Sequence, residues 1–448
     1  MNRKNKLMDS SGIAGLFKVD HAASDCALLL HGLQHRGQDG AGIAVSDGQS
    51  LSCFRCRGLL AELLKKEPVV QTAGSAAIGQ VRMRCPQDRM DENLQPIMVR
   101  AHQGHFAVVC SGMVSNGDAL RLKLEAQGLI FQGTSDAELI AHLIQLAQGH
   151  LFEKIVASCQ QMEGAYSFLL MTKSTMYALR SSDGARPLFM GRVQDGWAFS
   201  SETGDMQILE AENIQELKPG ELVRLGKGSE QHWQLDQPVS GPCAMEYVYF
   251  SRPDSVIASA GVHGMRQKFG KELARGETET ADMVIGVPDT AMDAAAAFAR
   301  ELGIPYEIGL IKNRYIGSTF IRPTSIQRQQ GMRVRLNAIS SIVKDKDVFL
   351  VDDSIVRGST ARRLCQLLKE AGARKVHFRI AAPVICEECH KGAESSLREE
   401  LAGAVYSPEE LRQLINADSI RFLELDQFEM CLGRPVCTAC FRKGENNG

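Results

Sequence analysis

Apolar positions in the first half of the chain fall in short runs broken by glycine and polar turns, as in Ala76–Val81, Phe106–Cys110 and Tyr166–Met171. Runs of this length, bounded by turn residues, predict strands. One helical stripe interrupts them: between Asp136 and Gln148, residues Leu139, Ile140, Leu143, Ile144 and Ala147 share a face. The mixture predicts an α+β domain built on antiparallel sheet. From Leu225 to Pro242 the chain turns rich in Gly, Gln and Ser, which predicts a linker.

The second half follows another pattern. Continuous apolar runs at Met283–Val287 and Val348–Val351 each lead through a turn into a helical stretch, Asp293–Leu302 and Ser359–Ala371. Alternation of buried strand and helix predicts an α/β domain with a parallel sheet. The 448 residues are too many for one core, so two domains are expected, residues 11–240 and 250–441.

Charge narrows the partners. The formal charge is -2, with acids and bases nearly balanced, so no overall field points to nucleic acid or an anionic membrane, and a small-molecule ligand is the default. No apolar run is long enough for a membrane span and the first ten residues are polar, so a cytoplasmic protein is expected. Thirteen cysteines cannot all pair, which turns attention from disulfides to metal. Three Cys-x-x-Cys pairs stand out: Cys53/Cys56, Cys386/Cys389 and Cys437/Cys440.

The richest stretch is Val351-Asp352-Asp353-Ser354-Ile355-Val356-Arg357-Gly358-Ser359-Thr360. A buried strand ends in two acids, then a hydroxyl- and glycine-rich turn opens a helix. Backbone N–H groups of Arg357 to Thr360 at that helix start, with the two hydroxyls, suit a phosphate. Asp352 and Asp353 would repel a bare phosphate, but they can accept from ribose hydroxyls directly or through a magnesium ion. The plain alternative is an acid pair capping a helix.

That loop resembles the diphosphate-ribose loop of type I phosphoribosyltransferases. Met245–Ser255, Ile285–Asp289 and Gly303–Tyr315 extend the likeness, and from Ser11 to Phe441 the chain resembles the amidophosphoribosyltransferases, glutamine-using enzymes that open purine synthesis. The resemblance implies an N-terminal-nucleophile hydrolase (class II glutamine amidotransferase-like) domain followed by a type I phosphoribosyltransferase domain. It implies magnesium and ribose contacts at Asp352 and Asp353 with Thr290 helping to hold the metal. Phosphate contacts fall at Ser354, Arg357, Gly358, Ser359 and Thr360. Lys312, Asn313, Arg314 and Tyr315 would begin a loop closing over substrate; Ser318 stands there where the family has arginine.

The amidotransferase half departs from its family. An N-terminal cysteine attacks glutamine in these enzymes, whereas Ser11-Gly12-Ile13-Ala14-Gly15 occupies the place here, and a hydroxyl is a poorer nucleophile than a thiolate. The His-Asn-Gly-Asn segment supplying the oxyanion hole reads Cys110-Ser111-Gly112-Met113. Losing one such donor typically costs about 10²- to 10³-fold in rate. Arg82 and Asp136, the positions that would hold the glutamine carboxylate and amine, persist, either for glutamine or as an ion pair. Cys26 lies in an apolar helical run and is expected to be a buried structural thiol.

Some family members carry a [4Fe–4S] cluster, and Cys243, Cys389, Cys437 and Cys440 occupy its ligand places, with Cys386 as substitute for Cys389. Cys386/Cys389 with Cys437/Cys440 also makes a zinc pattern. The expected activity is formation of 5-phosphoribosylamine from phosphoribosyl diphosphate, using ammonia because the glutaminase half is damaged. The alternative is a non-catalytic paralogue binding phosphoribosyl diphosphate or nucleotides, as regulator or partner of an active homologue. By the same resemblance, nucleotide effectors and a homo-oligomer are expected.

Overall fold

The computed structural model describes residues 11–83, 91–101, 104–226, 228–237, 240–313, 336–392 and 397–444. The chain divides into two compact units: Met1–Cys243 with Asp254–Ser259 and His390–Ser395, and Ala244–Pro253 with Ala260–Cys389 and Ser396–Gly448. The fold class read from the sequence is the one observed, α+β followed by α/β.

Two antiparallel sheets build the first unit. One runs in the order Glu212–Glu216, Phe189–Val193, Gly196–Ser200, Gly12–Phe17, Ala76–Arg82, Gly40–Ser46, Leu51–Arg57. The other runs Ser229–Gln234, Glu221–Gly226, Met176–Arg180, Gly164–Thr172, Gly104–Val114, Ile97–Ala101. Their inner faces share one core, with Ile13, Ile78 and Phe199 from the first meeting Val109, Leu169 and Met171 from the second. Helix Ala22–Gly32 covers the first sheet, where Leu30 lies against Gly79. Helix Asp136–Leu146 covers the second, burying Leu139, Ile140, Leu143 and Ile144 on the stripe the sequence displays. The central strands, such as Ala76–Arg82 and Gly164–Thr172, are buried on both faces, which is why they read as continuous apolar runs.

The expected linker over 225–242 is corrected by this arrangement. Ser229–Gln234 is an edge strand paired antiparallel with Glu221–Gly226. It looks like a linker because nearly all its side chains are exposed, leaving no apolar alternation to read. Trp233 alone packs inward, its ring 4.3 Å from that of Phe152.

A five-stranded parallel sheet forms the second unit, ordered Tyr306–Glu307, Met283–Gly286, Asp347–Asp352, Lys375–Ile380, Ser419–Phe422. Helix Ser359–Glu370 buries Leu364 and Leu368 against one face. Helices Val262–Arg275 and Met292–Leu302 carry Phe269 and Phe298; Phe298 meets Phe349 of the central strand edge to face at 5.3 Å. A separate antiparallel pair, Leu310–Lys312 with Leu336–Ala338, brackets residues 314–335, so Arg314, Tyr315 and Ser318 lie outside the described residues. Among the described residues no helix is long and apolar enough to cross a membrane.

One charged pair sits inside the second unit. Arg379 grips Glu277 in bidentate fashion, at 2.5 and 2.8 Å, with both side chains only 2% exposed, and its guanidinium lies over Phe349. Burial works to raise the Glu277 pKa, but the Arg379 contacts and two backbone N–H groups prevail and hold it below the usual carboxylate value. A depressed carboxylate pKa gives stability that is present above the unfolded value of 4.5 and lost as pH falls through the folded one. Arg379→Ala strands a buried carboxylate and should cost about 3–5 kcal/mol of unfolding free energy, measured by urea denaturation at neutral pH. The loss should shrink in acid, where Glu277 is neutral.

Candidate functional site

Adjacent parallel strands deliver the transferase residues to one edge. Asp347–Asp352 ends in the acid pair, and Met283–Gly286 beside it leads into Thr290. The carboxyl edge of a parallel sheet is where such folds bind ligands. Beyond the acids the chain turns through Ser354–Arg357 into helix Ser359–Glu370, with Gly358 at φ 76° as the residue before its first turn. That left-handed backbone is cheap only for glycine, and it lets the N–H groups at the helix start face one point.

Both acids are nearly buried, Asp352 at 7% and Asp353 at 8% exposure. The Thr290 hydroxyl and the Ser354 hydroxyl (2.8 Å) both donate to Asp353, and the Asp353 N–H donates to Asp352 Oδ1 at 3.0 Å. Burial and then the charge of Asp353 push the Asp352 pKa well above its ordinary value. Burial also raises that of Asp353, against the hydroxyls of Thr290 and Ser354 and the charge of Arg266. Two carboxyls sharing a dry site in this way suit a hard divalent cation, which oxygen donors prefer and which would relieve their repulsion.

Arg266 is a site residue the sequence reading missed. It is 2% exposed, donates to the carbonyls of Tyr247 and Ser251 at 2.8 Å each, and lines a small cleft with Phe269, Thr290, Ala294 and Asp353. A signal existed: Val262, Met265, Arg266, Phe269 and Leu273 form the buried stripe of their helix, and an arginine inside such a stripe needs a polar reason. Two expected ligand cations are paired with carboxylates, Lys312 with Asp289 at 2.6 Å and Arg357 with Glu400 at 3.2 Å.

In the first unit, Ser11 is fully buried at the start of strand Gly12–Phe17, and its carbonyl accepts from the Ser111 hydroxyl at 2.6 Å. Gly112 follows at φ 103°, where any Cβ would stand 2.1 Å from the Ala165 carbonyl. Asp136 accepts from the Val114 N–H at 2.8 Å, and Arg82 donates to the Asn93 carbonyl. Ser11, Ser111 and Gly112 are therefore brought together. Cys26 is no substitute nucleophile: it is fully buried, and burial, then the charge of Asp25, raise its thiol pKa far above normal.

Among the described residues, no three His, Cys, Asp or Glu side chains converge as a metal-holding group, so neither Cys243, Cys389, Cys437 and Cys440 nor the zinc set forms a preassembled cage. Backbone contacts do join the segments: Cys386 and Glu387 N–H groups donate to the Cys440 carbonyl at 3.0 and 3.1 Å, and the Ala244 N–H to the Cys437 carbonyl at 3.1 Å. These bonds fix carbonyls and leave the thiols' directions open.

Comparison with known proteins agrees with this geometry. Residues 80–207 match the family model of a glutamine amidotransferase domain, and residues 267–396 that of a phosphoribosyl transferase domain. The amidophosphoribosyltransferase of Bacillus subtilis (strain 168) is 40% identical over 446 residues, covering 97% of this chain and 94% of that one. The Staphylococcus aureus (strain COL) amidophosphoribosyltransferase is 41% identical over 424 residues, covering 94% and 86%. Among solved structures, the glutamine phosphoribosylpyrophosphate amidotransferase of B. subtilis complexed with ADP and GMP superposes with a TM-score of 0.90 at 40% identity, over 96% of each chain. The structure of an allosteric regulatory enzyme of purine biosynthesis gives the same TM-score at 39% identity, over 96% and 95%.

Burial and the charge of Asp353 raise the Asp352 pKa, so its ionisation costs stability: a raised carboxylate pKa gives stability present below the unfolded value of 3.8 and lost as pH climbs through the folded one. Asp352→Asn removes that cost. Without ligand or divalent cation, the variant should be more stable than the parent, with the gap opening as pH rises above the unfolded value of 3.8. A calorimetric series showing no gap at the upper end would contradict the electrostatic account.

Proposed function

We propose, for a chain that belongs to the amidophosphoribosyltransferase family of purine biosynthesis, that it forms 5-phosphoribosylamine with ammonia as the working nitrogen source. The observation that carries the reading is the contrast between two sites on one chain. The acid pair, Thr290 and the glycine-opened helix are all present at the transferase edge. At the other, serines occupy the nucleophile and oxyanion places, and the Ser111 hydroxyl is engaged by the Ser11 carbonyl.

In this reading the N–H groups of Arg357 to Thr360 and the hydroxyls of Ser354, Ser359 and Thr360 bind phosphate, while Asp352 and Asp353 accept from the ribose hydroxyls. Asp352, Asp353 and Thr290 would hold magnesium, whose all-oxygen donor set they match; when bound, the ion supplies charge neutralisation for the departing diphosphate. Ammonia attacks the anomeric carbon as its bond to diphosphate breaks, and the amine then sheds a proton to solvent. Lys312, Arg314 and Tyr315 would exclude water, whose attack is the competing reaction.

Two further readings belong with it. A [4Fe–4S] cluster on Cys243, Cys389, Cys437 and Cys440, with Cys386 as substitute and zinc as the rival metal, is supported by cysteines outside any disulfide and by the backbone bonds joining the segments of Cys386, Cys437 and Cys440. No catalytic step passes through it. Nucleotide effectors are supported by the relative complexed with ADP and GMP, and a homo-oligomer is proposed on family likeness alone.

Assay of phosphoribosyl diphosphate turnover tests the main reading. Ammonium chloride should support phosphoribosylamine formation, more so as pH rises and free ammonia grows, and glutamine should not. Ser11→Cys alone should restore little glutamine use, because Ser111 still leaves the oxyanion hole short of a donor worth about 10²-fold or more. Equal use of glutamine would overturn the reading, and turnover with neither nitrogen source would favour the non-catalytic binder. Anaerobically purified protein should carry about four iron and four sulfide per chain; stoichiometric zinc without iron would move the site to the rival metal.

A further inference from the structure

Glu400 faces the phosphate loop without having been part of any motif. It ends a short 3-10 turn, Arg398–Glu400, and its carboxylate meets the Arg357 guanidinium at 3.2 Å. The turn is tied to the loop by backbone: the Ala402 N–H donates to the Val356 carbonyl at 2.7 Å, and the Glu400 N–H closes on the Leu397 carbonyl at 2.8 Å. Gly358 lies beneath the same segment, with Ala402 and Leu411 within 4 Å of where its Cβ would be. Glu400 is thus carried on a strap bonded to the loop it touches, and its position beside Arg357 is built into the fold.

Both partners are about half exposed, at 52% and 47%. An ion pair of that exposure contributes little to folding. Its consequence is for binding: a cation already matched by a carboxylate must give up that contact before it can serve an anion. Lys312 and Asp289 repeat the pattern, also partly exposed, at 2.6 Å.

We propose that Glu400 is a competing anion built into the phosphate site, which occupies Arg357 until a phosphate group displaces it and so sets the affinity of the loop for phosphate. This rests on the reading of Arg357 as a phosphate contact. Weak anions such as inorganic phosphate have only the loop to bind and are penalised in full. Phosphoribosyl diphosphate also engages the acid pair and magnesium through its ribose and diphosphate, so the same penalty is a smaller share of its binding. The carboxylate lowers both affinities by the same factor, which leaves a weak anion unbound at concentrations where the substrate still fills the site.

Calorimetric titration of the full chain with inorganic phosphate, and separately with phosphoribosyl diphosphate and magnesium, tests this. Glu400→Gln should tighten inorganic phosphate about two- to fivefold. Glu399→Gln, an exposed neighbour making the same change in net charge, should tighten it clearly less. In an Arg357→Ala background the advantage of the Glu400 change over the Glu399 change should vanish. Equal effects of the two glutamate variants, or weaker binding in Glu400→Gln, would overturn the proposal. If Arg357→Ala alone leaves both ligands unaffected, the phosphate reading of Arg357 falls and the proposal with it, whereas a weakened Arg357→Ala with no Glu400 effect removes only the competing anion.

Discussion

Two carboxyl groups buried side by side at the end of one strand set the terms for the rest of the transferase unit. Neither Asp352 nor Asp353 would choose that position: burial opposes the charge of both, and the charge of Asp353 further opposes that of Asp352. The surrounding parallel sheet supplies what the pair costs. Val348, Leu350, Val376 and Phe378 are buried in its core, and that packing fixes the strand end regardless of what the acids prefer. Thr290 and Ser354 then give Asp353 two hydroxyl donors, so it is a poised ligand rather than an orphaned charge. A site this unfavourable when empty gains most when a cation and a sugar fill it.

Legibility in the sequence followed how local each constraint is. The phosphate loop was readable because strand end, acid pair, glycine and helix start are contiguous, and each imposes its own residue type. The helix Asp136–Leu146 was readable because its stripe is complete. Ser229–Gln234 was not, since an edge strand with exposed side chains has no pattern to show, and the region was taken for a linker. Arg266 and Glu400 could not be found as site residues by spacing alone. Arg266 reaches the site from a different helix and Glu400 from a turn some forty residues past the loop.

The amidotransferase unit separates fold from chemistry in the same way. Its fold rests on a core of Ile13, Ile78, Val109, Leu169 and Phe199, apolar packing to which the hydroxyls of Ser11 and Ser111 do not contribute. Gly112 belongs to both: its φ of 103° and the closeness of the Ala165 carbonyl demand glycine for backbone reasons alone. Its retention therefore says nothing about an oxyanion. Ser111 beside it is buried, and its hydroxyl donates to the Ser11 carbonyl.

Arg82 and Asp136 can be weighed by the same criterion. The Arg82 guanidinium donates to the Asn93 carbonyl, and the Asn93 amide in turn holds Thr134 through two hydrogen bonds. Asp136, two residues further along, accepts from the Val114 N–H on the strand that carries Ser111. Each therefore has a structural task that persists whether or not glutamine is ever bound, tying the loop before helix Asp136–Leu146 to the sheet. A residue with such a task survives the loss of chemistry, and a residue whose only task is chemistry does not. On the function proposed above, Ser11 and Ser111 stand at positions of the second kind.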